Sequence, residues 1–585
     1  MLEKLTEDQK AIIHKNGLFV VKACPGSGKT FAVAARFADK IKKWKPSYRG
    51  IATLSFTNVA WKEIQSYLKE DFKIPIPIGF PHFLGTLDSF LNQNVFLPFG
   101  HLVLGCKKRP ELVGPPFNEW EPIGNGFFWN NAECNQKYCK LNDFSFDIEY
   151  KLKNYSSRSH FDNCQSKHEF CKDKKNDFYK NGYATQLDAN FLSMCVLKKY
   201  PTISQALVYR FPEITIDEAQ DSSEIQMNFI EILIKNGLNE VMLIGDSDQA
   251  IYEWRTANPS LFLKKYQDWQ SNSFEMNSNL RSSQEICDFY SKLSSFRSPS
   301  KAINEKVKDF KLKPLFWSYK DNYQTIIENF LSFCKINGIP TITKNIAILA
   351  RSNNFLLSLK NIKKNINRQE PWRDDLNGKI CRKIAKSKFL FDQKKCIEAF
   401  KIIERTVVSI NLKKDYVSIS EIKKYVEKKG FSKWRIILFR FLSNLPKSIE
   451  DLSIKDWLLK LDNSVVENFK SKGIDLYNSI KRDRRPNIYS KVTFGELFST
   501  SDKSINEQYT MGTIHSVKGE TFDAILLFVK EKCSNNQKYK TILNDKIEKC
   551  EELRNIYVAI TRPRKILVIA VPEKDKEIWE KRFYD

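Results

Sequence analysis

Residues 18–31 leave few folds open. An apolar strand, Leu18-Phe19-Val20-Val21, runs into Ala23-Cys24-Pro25-Gly26-Ser27-Gly28-Lys29-Thr30 and then into an Ala-rich helical stretch from Phe31. Strand, phosphate loop and helix in this order form a nucleotide cradle. Gly26 and Gly28 let the backbone turn its N–H groups toward phosphate oxygens, and the helix adds the positive end of its dipole. Pro25 to Thr30 are therefore the candidate ATP-binding residues. Lys29 would reach the β- and γ-phosphates, and the Thr30 hydroxyl would bind Mg²⁺. Ala23 stands where the general pattern has Gly, a change that needs no special backbone angle.

Two further strands end in chemistry that suits such a cradle. Phe211-Pro212-Glu213-Ile214-Thr215-Ile216 leads into Asp217-Glu218-Ala219-Gln220-Asp221. Asp217 can hold Mg²⁺, and Glu218 can orient and deprotonate a water. Val241-Met242-Leu243-Ile244 runs into Gly245-Asp246-Ser247-Asp248-Gln249, followed by Tyr252 and Trp254. The Gln249 amide is placed to sense a γ-phosphate, while the two aromatics either stack on bases or belong to the core. Near the other end, Thr513-Ile514-His515-Ser516-Val517-Lys518-Gly519-Glu520 precedes an apolar run, and Arg562-Pro563 precedes another strand. Pro563 should stop the helix before it and leave the Arg562 guanidinium at a helix terminus.

At 585 residues the chain is long enough for about four domains, or for two large ones that each carry an insertion. Lys and Arg exceed Asp and Glu by 26, which favours a polyanionic partner unless it reflects coding bias alone. Thirteen scattered Cys fit reduced thiols better than a disulfide framework. The start, Met1-Leu2-Glu3-Lys4-Leu5, lacks the apolar core of a signal peptide, and no apolar run approaches the ~20 residues of a membrane span. A soluble, cytoplasmic protein without a membrane partner is the expectation.

With these elements in this order, the chain resembles the UvrD/Rep/PcrA group of superfamily 1 DNA helicases along its whole length. Thr6-Glu7-Asp8-Gln9 is similar to the group's adenine-reading element, and Ser55-Phe56-Thr57-Asn58 and Gly85-Thr86-Leu87-Asp88-Ser89-Phe90 to its single-strand contact motifs. Asn279-Leu280-Arg281-Ser282 is similar to the motif that opens the second lobe, and Ile346–Arg351 to a strand of that lobe. The resemblance implies an α/β fold of two RecA-like P-loop NTPase lobes, each with an inserted, mainly helical subdomain. It implies Gln9 on the base, Arg281 and Arg562 as arginine fingers beside the catalytic Asp217, Glu218 and Gln249, and ATP with Mg²⁺ as cofactors. It also implies single-stranded DNA on Phe56, Thr57, Asn58, Tyr252, Trp254 and His515, duplex junctions as substrates, and movement 3′→5′. Three positions depart from the group. Leu280 replaces a Tyr that stacks on adenine, Asp88 replaces a common His, and Glu520 sits one place from its usual position.

The expected boundaries are 1–90 and 200–278 for the first lobe with 91–199 inserted, and 279–390 and 505–585 for the second with 391–504 inserted. In the second insertion, Lys481-Arg482-Asp483-Arg484-Arg485 is either a solvated face or a duplex-phosphate contact. In the first, Cys134, Cys139, His160, Cys164, His168 and Cys171 hold enough ligands for one zinc, but their spacing is not a paired Cys-x2-Cys signature and ordinary thiols are the preferred reading. No nuclease domain is expected between Arg562 and Asp585, so a nuclease would be a separate partner. Two functions follow: a helicase in DNA repair or in an antiphage system such as Gabija, or a DNA-stimulated ATPase that regulates a nuclease complex and unwinds little.

Overall fold

The computed structural model describes residues 5–45, 47–117, 141–155, 168–252, 257–359, 376–412, 417, 419–461, 492–498, 503–505, 508–533 and 537–584. They form two compact units, residues 1–362 with 502–585, and residues 363–501.

The larger unit contains two six-stranded sheets. The first runs Phe274–Met276, Leu18–Ala23, Glu240–Gly245, Glu213–Asp217, Ile51–Ser55, Phe83–Thr86 in space, with every pairing parallel. Central strands of such a sheet are covered on both faces and so read as unbroken apolar runs. Phe19, Val20, Val21, Ile214, Ile216, Leu243 and Ile244 are accordingly buried. Register then positions the chemistry. Val21 pairs with Ile244, Ile244 with Asp217, and Asp217 with Ser55, so one level row crosses the sheet. Whatever follows these residues emerges together at the carboxyl edge, where open parallel sheets bind ligands.

The second sheet runs Leu315–Tyr319, Pro563–Pro572, Phe522–Phe528, Ile346–Ala350, Thr510–Thr513, Lys503–Ile505, parallel except for its last pair. Ala350 pairs with both Thr513 and Phe528, which brings Arg351 and His515 to the same carboxyl edge. The α/β class expected from the residue pattern is present.

Between Thr86 and Glu213 the chain folds into helices that include His168–Lys180, Gln186–Lys199 and Pro201–Arg210, but also into two small strand pairs. A fully buried ion pair, Lys175 to Asp188 at 2.7 Å, lies there. Asp188 also accepts from the Tyr179 hydroxyl at 2.8 Å and from Thr185 N at 2.9 Å. Those added bonds offset the desolvation cost of such a pair.

The smaller unit is helical and packs around Trp434, Trp457, Phe389, Phe441 and Phe494. Its helix Leu376–Asp392, which the bounds implied by the resemblance assign to the second lobe, buries Ile380, Ile384 and Phe389 in this core and packs along Cys396–Leu412. The boundary of this compact unit therefore falls at 363, before that helix. No helix of the described residues is long and apolar enough to cross a membrane.

Candidate active site

The phosphate loop leaves the strand Leu18–Ala23 and enters the helix Lys29–Lys43 with Gly26 at φ +74° and Gly28 at φ +72°. A Cβ on Gly26 would lie 2.7 Å from the Arg281 Cβ, and one on Gly28 would lie 2.6 Å from Gln9 Nε2. Both glycines are thus required by conformation and by the close approach of neighbours. Gln9 caps its own helix with Thr6. Its Oε1 accepts from Thr6 N at 3.1 Å, and its Nε2 donates to Ser27 O at 2.8 Å. The amide that the resemblance assigns to the base is thereby tied to the loop, with one lone pair of Oε1 remaining for a ligand.

Lys29 Nζ lies 3.0 Å from Glu218 Oε1, and the Thr30 hydroxyl donates to Asp217 Oδ2 at 3.1 Å. Burial works against charge on Glu218, yet the Lys29 and Lys518 ammonium groups and the Gln220 amide overcome it and hold the carboxyl at about 2. Burial and the adjacent Glu218 push Asp217 up. Glu218 has φ +55°, an uncommon left-handed conformation for a residue with a side chain. Gln220 fixes it, donating to Glu218 Oε2 while its own Oε1 accepts from Asp246 N at 3.1 Å. These residues fit a nucleotide with a divalent cation. Buried Ser27 Oγ has no hydrogen-bond partner among the described residues, and a hydroxyl and a carboxylate stand beside a lysine at the loop's end.

The second lobe closes on this site. Asn279 Nδ2 donates to Pro25 O at 2.7 Å, its Oδ1 accepts from Arg281 N, and Leu280 N donates to Gly26 O at 2.8 Å. Arg281 donates through Nη1 to Thr561 O at 2.9 Å. The helix Glu551–Ile560 ends before Pro563, and Arg562 follows its cap. Arg562 is 2% exposed, and its Nη2 donates to Gln249 Oε1. Burial, with the Arg281 charge beside it, draws the Arg562 guanidinium down to about 9. Gln249 Nε2 in turn donates to Asp246 Oδ2 at 2.6 Å. Glutamine and arginine, 313 positions apart, meet as one unit.

At the first sheet's carboxyl edge Phe56 faces Tyr252 at 5.8 Å between ring centroids, and His515, beyond the second sheet's strand Thr510–Thr513, faces Tyr252 at 6.1 Å. Thr57 caps the helix Asn58–Glu70 through Ala60 N, and Asn58 Oδ1 accepts from Trp61 Nε1 at 3.1 Å. His515 Nε2 bonds with Ile251 O at 3.2 Å, and Nδ1 with Arg351 at 3.3 Å. Burial and the Arg351 charge push the imidazole down to about 4, so it is neutral at neutral pH. Trp254 lies outside the described residues, as do the 481–485 cluster and Cys134, Cys139, His160 and Cys164. Cys171 is buried and in no disulfide, and no metal-holding group of His, Cys, Asp or Glu occurs among the described residues.

Several participants escape a motif reading. Lys518 Nζ reaches Asp221 Oδ2 at 2.7 Å and Gln249 O at 3.0 Å, and lies 4.5 Å over the Tyr252 ring. Arg554, 1% exposed, donates through Nε to Ala250 O at 2.7 Å. Asp88, at the position of a usual His, accepts from Asn190 at 3.0 Å and Gln226 at 2.8 Å, joining three helices while burial pushes its carboxyl up. Lys518 and Asp88 lie within quoted motifs, and the charge reversal at Asp88 was a visible signal. For Arg554 no local signal exists.

The comparisons agree with this geometry. Residues 5–95 and 129–270 match the UvrD/REP helicase N-terminal domain, and residues 481–574 match the UvrD-like helicase C-terminal domain, together more than half of the chain. A probable DNA helicase II homolog of Mycoplasma genitalium is 23% identical over 97% of this chain and 84% of its own length. The Gabija protein GajB of Bacillus cereus is 25% identical over 48% of this chain and 47% of its own. The exonuclease/helicase subunit RexA of Streptococcus pneumoniae is 35% identical over 17% of this chain and 8% of its own. UvrD-like helicases use ATP with a divalent metal, generally Mg²⁺. The chain belongs to the UvrD/Rep-like family of ATP-dependent DNA helicases.

Proposed function

We propose that this helicase is a 3′→5′ translocase on single-stranded DNA, driven by MgATP held between its two lobes. The observation that carries the proposal is the single network from Lys29 and Glu218 through Gln220, Asp246 and Gln249 to Arg562, with Lys518 and Tyr252 joining it to the aromatic row. MgATP, when bound, supplies the phosphoanhydride bond whose hydrolysis drives the cycle. Lys29 and the loop N–H groups bind phosphate oxygens, and Thr30 and Asp217 hold the cation. Lys29 then leaves Glu218, whose freed carboxylate orients water and takes its proton. Arg562 and Arg281 stabilise charge on the transferring group, so Arg562→Ala and Arg281→Ala should lower kcat more than they raise KM. Phe56, Thr57, Asn58, Tyr252, Trp254 and His515 grip the strand, and alternating grip turns each cycle into a step.

The polarity comes from family membership. A cytoplasmic role in DNA repair is supported by the near full-length similarity to a DNA helicase II homolog. A second reading, the helicase component of an antiphage system acting with a separate nuclease, is supported by the similarity to GajB and to an exonuclease/helicase protein. The two RecA-like lobes are assigned to 1–90 with 200–278 and to 279–362 with 505–585, each interrupted by an insertion. Strand displacement by the purified chain alone tests the motor reading. A duplex with a 3′ tail should be opened and one with a 5′ tail should not; DNA-stimulated ATP turnover without displacement would instead favour the regulatory role.

A further inference from the structure

The strands Ile51–Ser55 and Glu213–Asp217 end at the ATP and DNA machinery, but their amino ends open on a different surface. Five residues of strand place that edge about 17 Å away. There three aromatic rings stand in solvent: Tyr48 is 56% exposed, Phe80 75% and Tyr209 54%. Solvated rings on mobile loops are ordinary, yet these are fixed. Tyr48 and Tyr209 share a hydrogen bond between hydroxyls at 2.7 Å, and Arg49 lies 4.9 Å over the Tyr209 ring while donating to Tyr209 O at 3.0 Å. Arg210 lies 4.9 Å over Phe80 and 4.3 Å over Phe211.

The backbone beneath is stitched together. Gly50 N donates to Arg210 O at 2.9 Å, Ile51 N to His82 Nδ1 at 3.3 Å, and Trp44 Nε1 to Arg49 O at 2.9 Å. A Cβ at Gly50 would lie 1.9 Å from Pro81 O, so the three segments approach as closely as backbone allows. Segments 42–50, 71–82 and 209–210 carry six lysines and arginines against one carboxylate, Asp71, and of the six Lys43 is paired with Asp39 at 2.8 Å. Among the described residues, neither Arg49 nor Arg210 pairs with a carboxylate, and Arg210 Nη1 has no hydrogen-bond partner.

We propose that this edge is a second binding surface for single-stranded nucleic acid, separate from the Phe56–Tyr252–His515 row. Fixed rings beside cations match a strand in both its parts: bases stack on the rings, and phosphates meet the guanidinium groups. Tyr and Arg are also the residues of protein hot spots, but two guanidinium groups, Arg49 and Arg210, without a carboxylate partner among the described residues favour a polyanion. The surface is independent of polarity and of hydrolysis. It gives a long strand a second anchor on the same protein.

The test compares fluorescent oligothymidines of two lengths, one filling a single track and one long enough to reach both surfaces. Tyr209→Ala and the more exposed Phe80→Ser should each weaken the long strand about tenfold while leaving the short strand and its stimulation of ATP turnover unchanged. Arg49→Gln should lower the salt slope of long-strand binding by about 0.7, the value of one phosphate contact. Native melting temperatures for Phe80→Ser and Arg49→Gln exclude misfolding. Unchanged long-strand affinity and salt slope in folded variants would overturn the proposal and leave the edge to a protein partner. Equal weakening of short and long strands would overturn it as well, because the effect would then run through the first track.

Discussion

Glu218 is the proposed base because of what surrounds it. Two ammonium groups and the Gln220 amide keep it ionised in a buried site where a carboxyl would otherwise take up a proton. Glu218→Gln keeps the shape and removes the base. Turnover should fall by at least about 10²-fold while nucleotide binding persists, as read by equilibrium binding beside steady-state ATPase; retained turnover would remove Glu218 from the mechanism. His515 makes the opposite case, a base kept neutral by burial and by Arg351. Between its unfolded value near 6.5 and its folded value of about 4, the unfolded chain binds more protons. Stability therefore rises with pH across that window and is lost as pH falls through it, by up to ~3 kcal/mol. His515→Gln should flatten the melting temperature against pH between about 4 and 6.5; an unchanged slope would show that the titration lies elsewhere. Residues like Lys29, Thr30, Asp217 and Glu218 were legible because phosphate chemistry needs those types in contiguous order. Arg562 was legible as an arginine at a helix terminus but not as the partner of Gln249, since nothing local encodes a contact across 313 positions.

At the level of elements, parallel strand registers turn separate motifs into one site. The row Val21, Ile244, Asp217, Ser55 delivers the phosphate loop, Gln249, the acids and Phe56 to one edge. Apolar runs announce such strands, whereas their spatial order is a tertiary property that periodicity does not carry. The helix Leu376–Asp392 shows the same limit. Its apolar face is plain in the sequence, but only packing shows that Trp434 and Phe494 cover it. Lys518, on the turn after Thr510–Thr513, contacts Asp221, Gln249 O and the Tyr252 ring at once, and on the proposed reading it links strand grip to hydrolysis. Lys518→Ala leaves Asp221 buried without its cation and releases Tyr252. Basal ATP turnover should survive within a few-fold, while stimulation by single-stranded DNA is largely lost. Equal loss of both would place Lys518 in the ATP site alone.

For the whole molecule, the two sheets of the larger unit are joined by bonds that all converge on the first sheet's carboxyl edge: Asn279 to Pro25, Leu280 to Gly26, Arg562 to Gln249, Lys518 to Asp221, His515 to Ile251 and Arg554 to Ala250. On the proposed reading these contacts rearrange with nucleotide, since a ligand that binds one arrangement better than another shifts the balance between them. In that reading this shift moves the protein along DNA in one direction. The direct measurement is ATP-dependent displacement of streptavidin from a biotin placed at either end of a single strand. Displacement should be fast from the 5′ end, slow from the 3′ end and absent in Glu218→Gln; preferential clearing of the 3′ end, or equal clearing of both ends, would contradict the account.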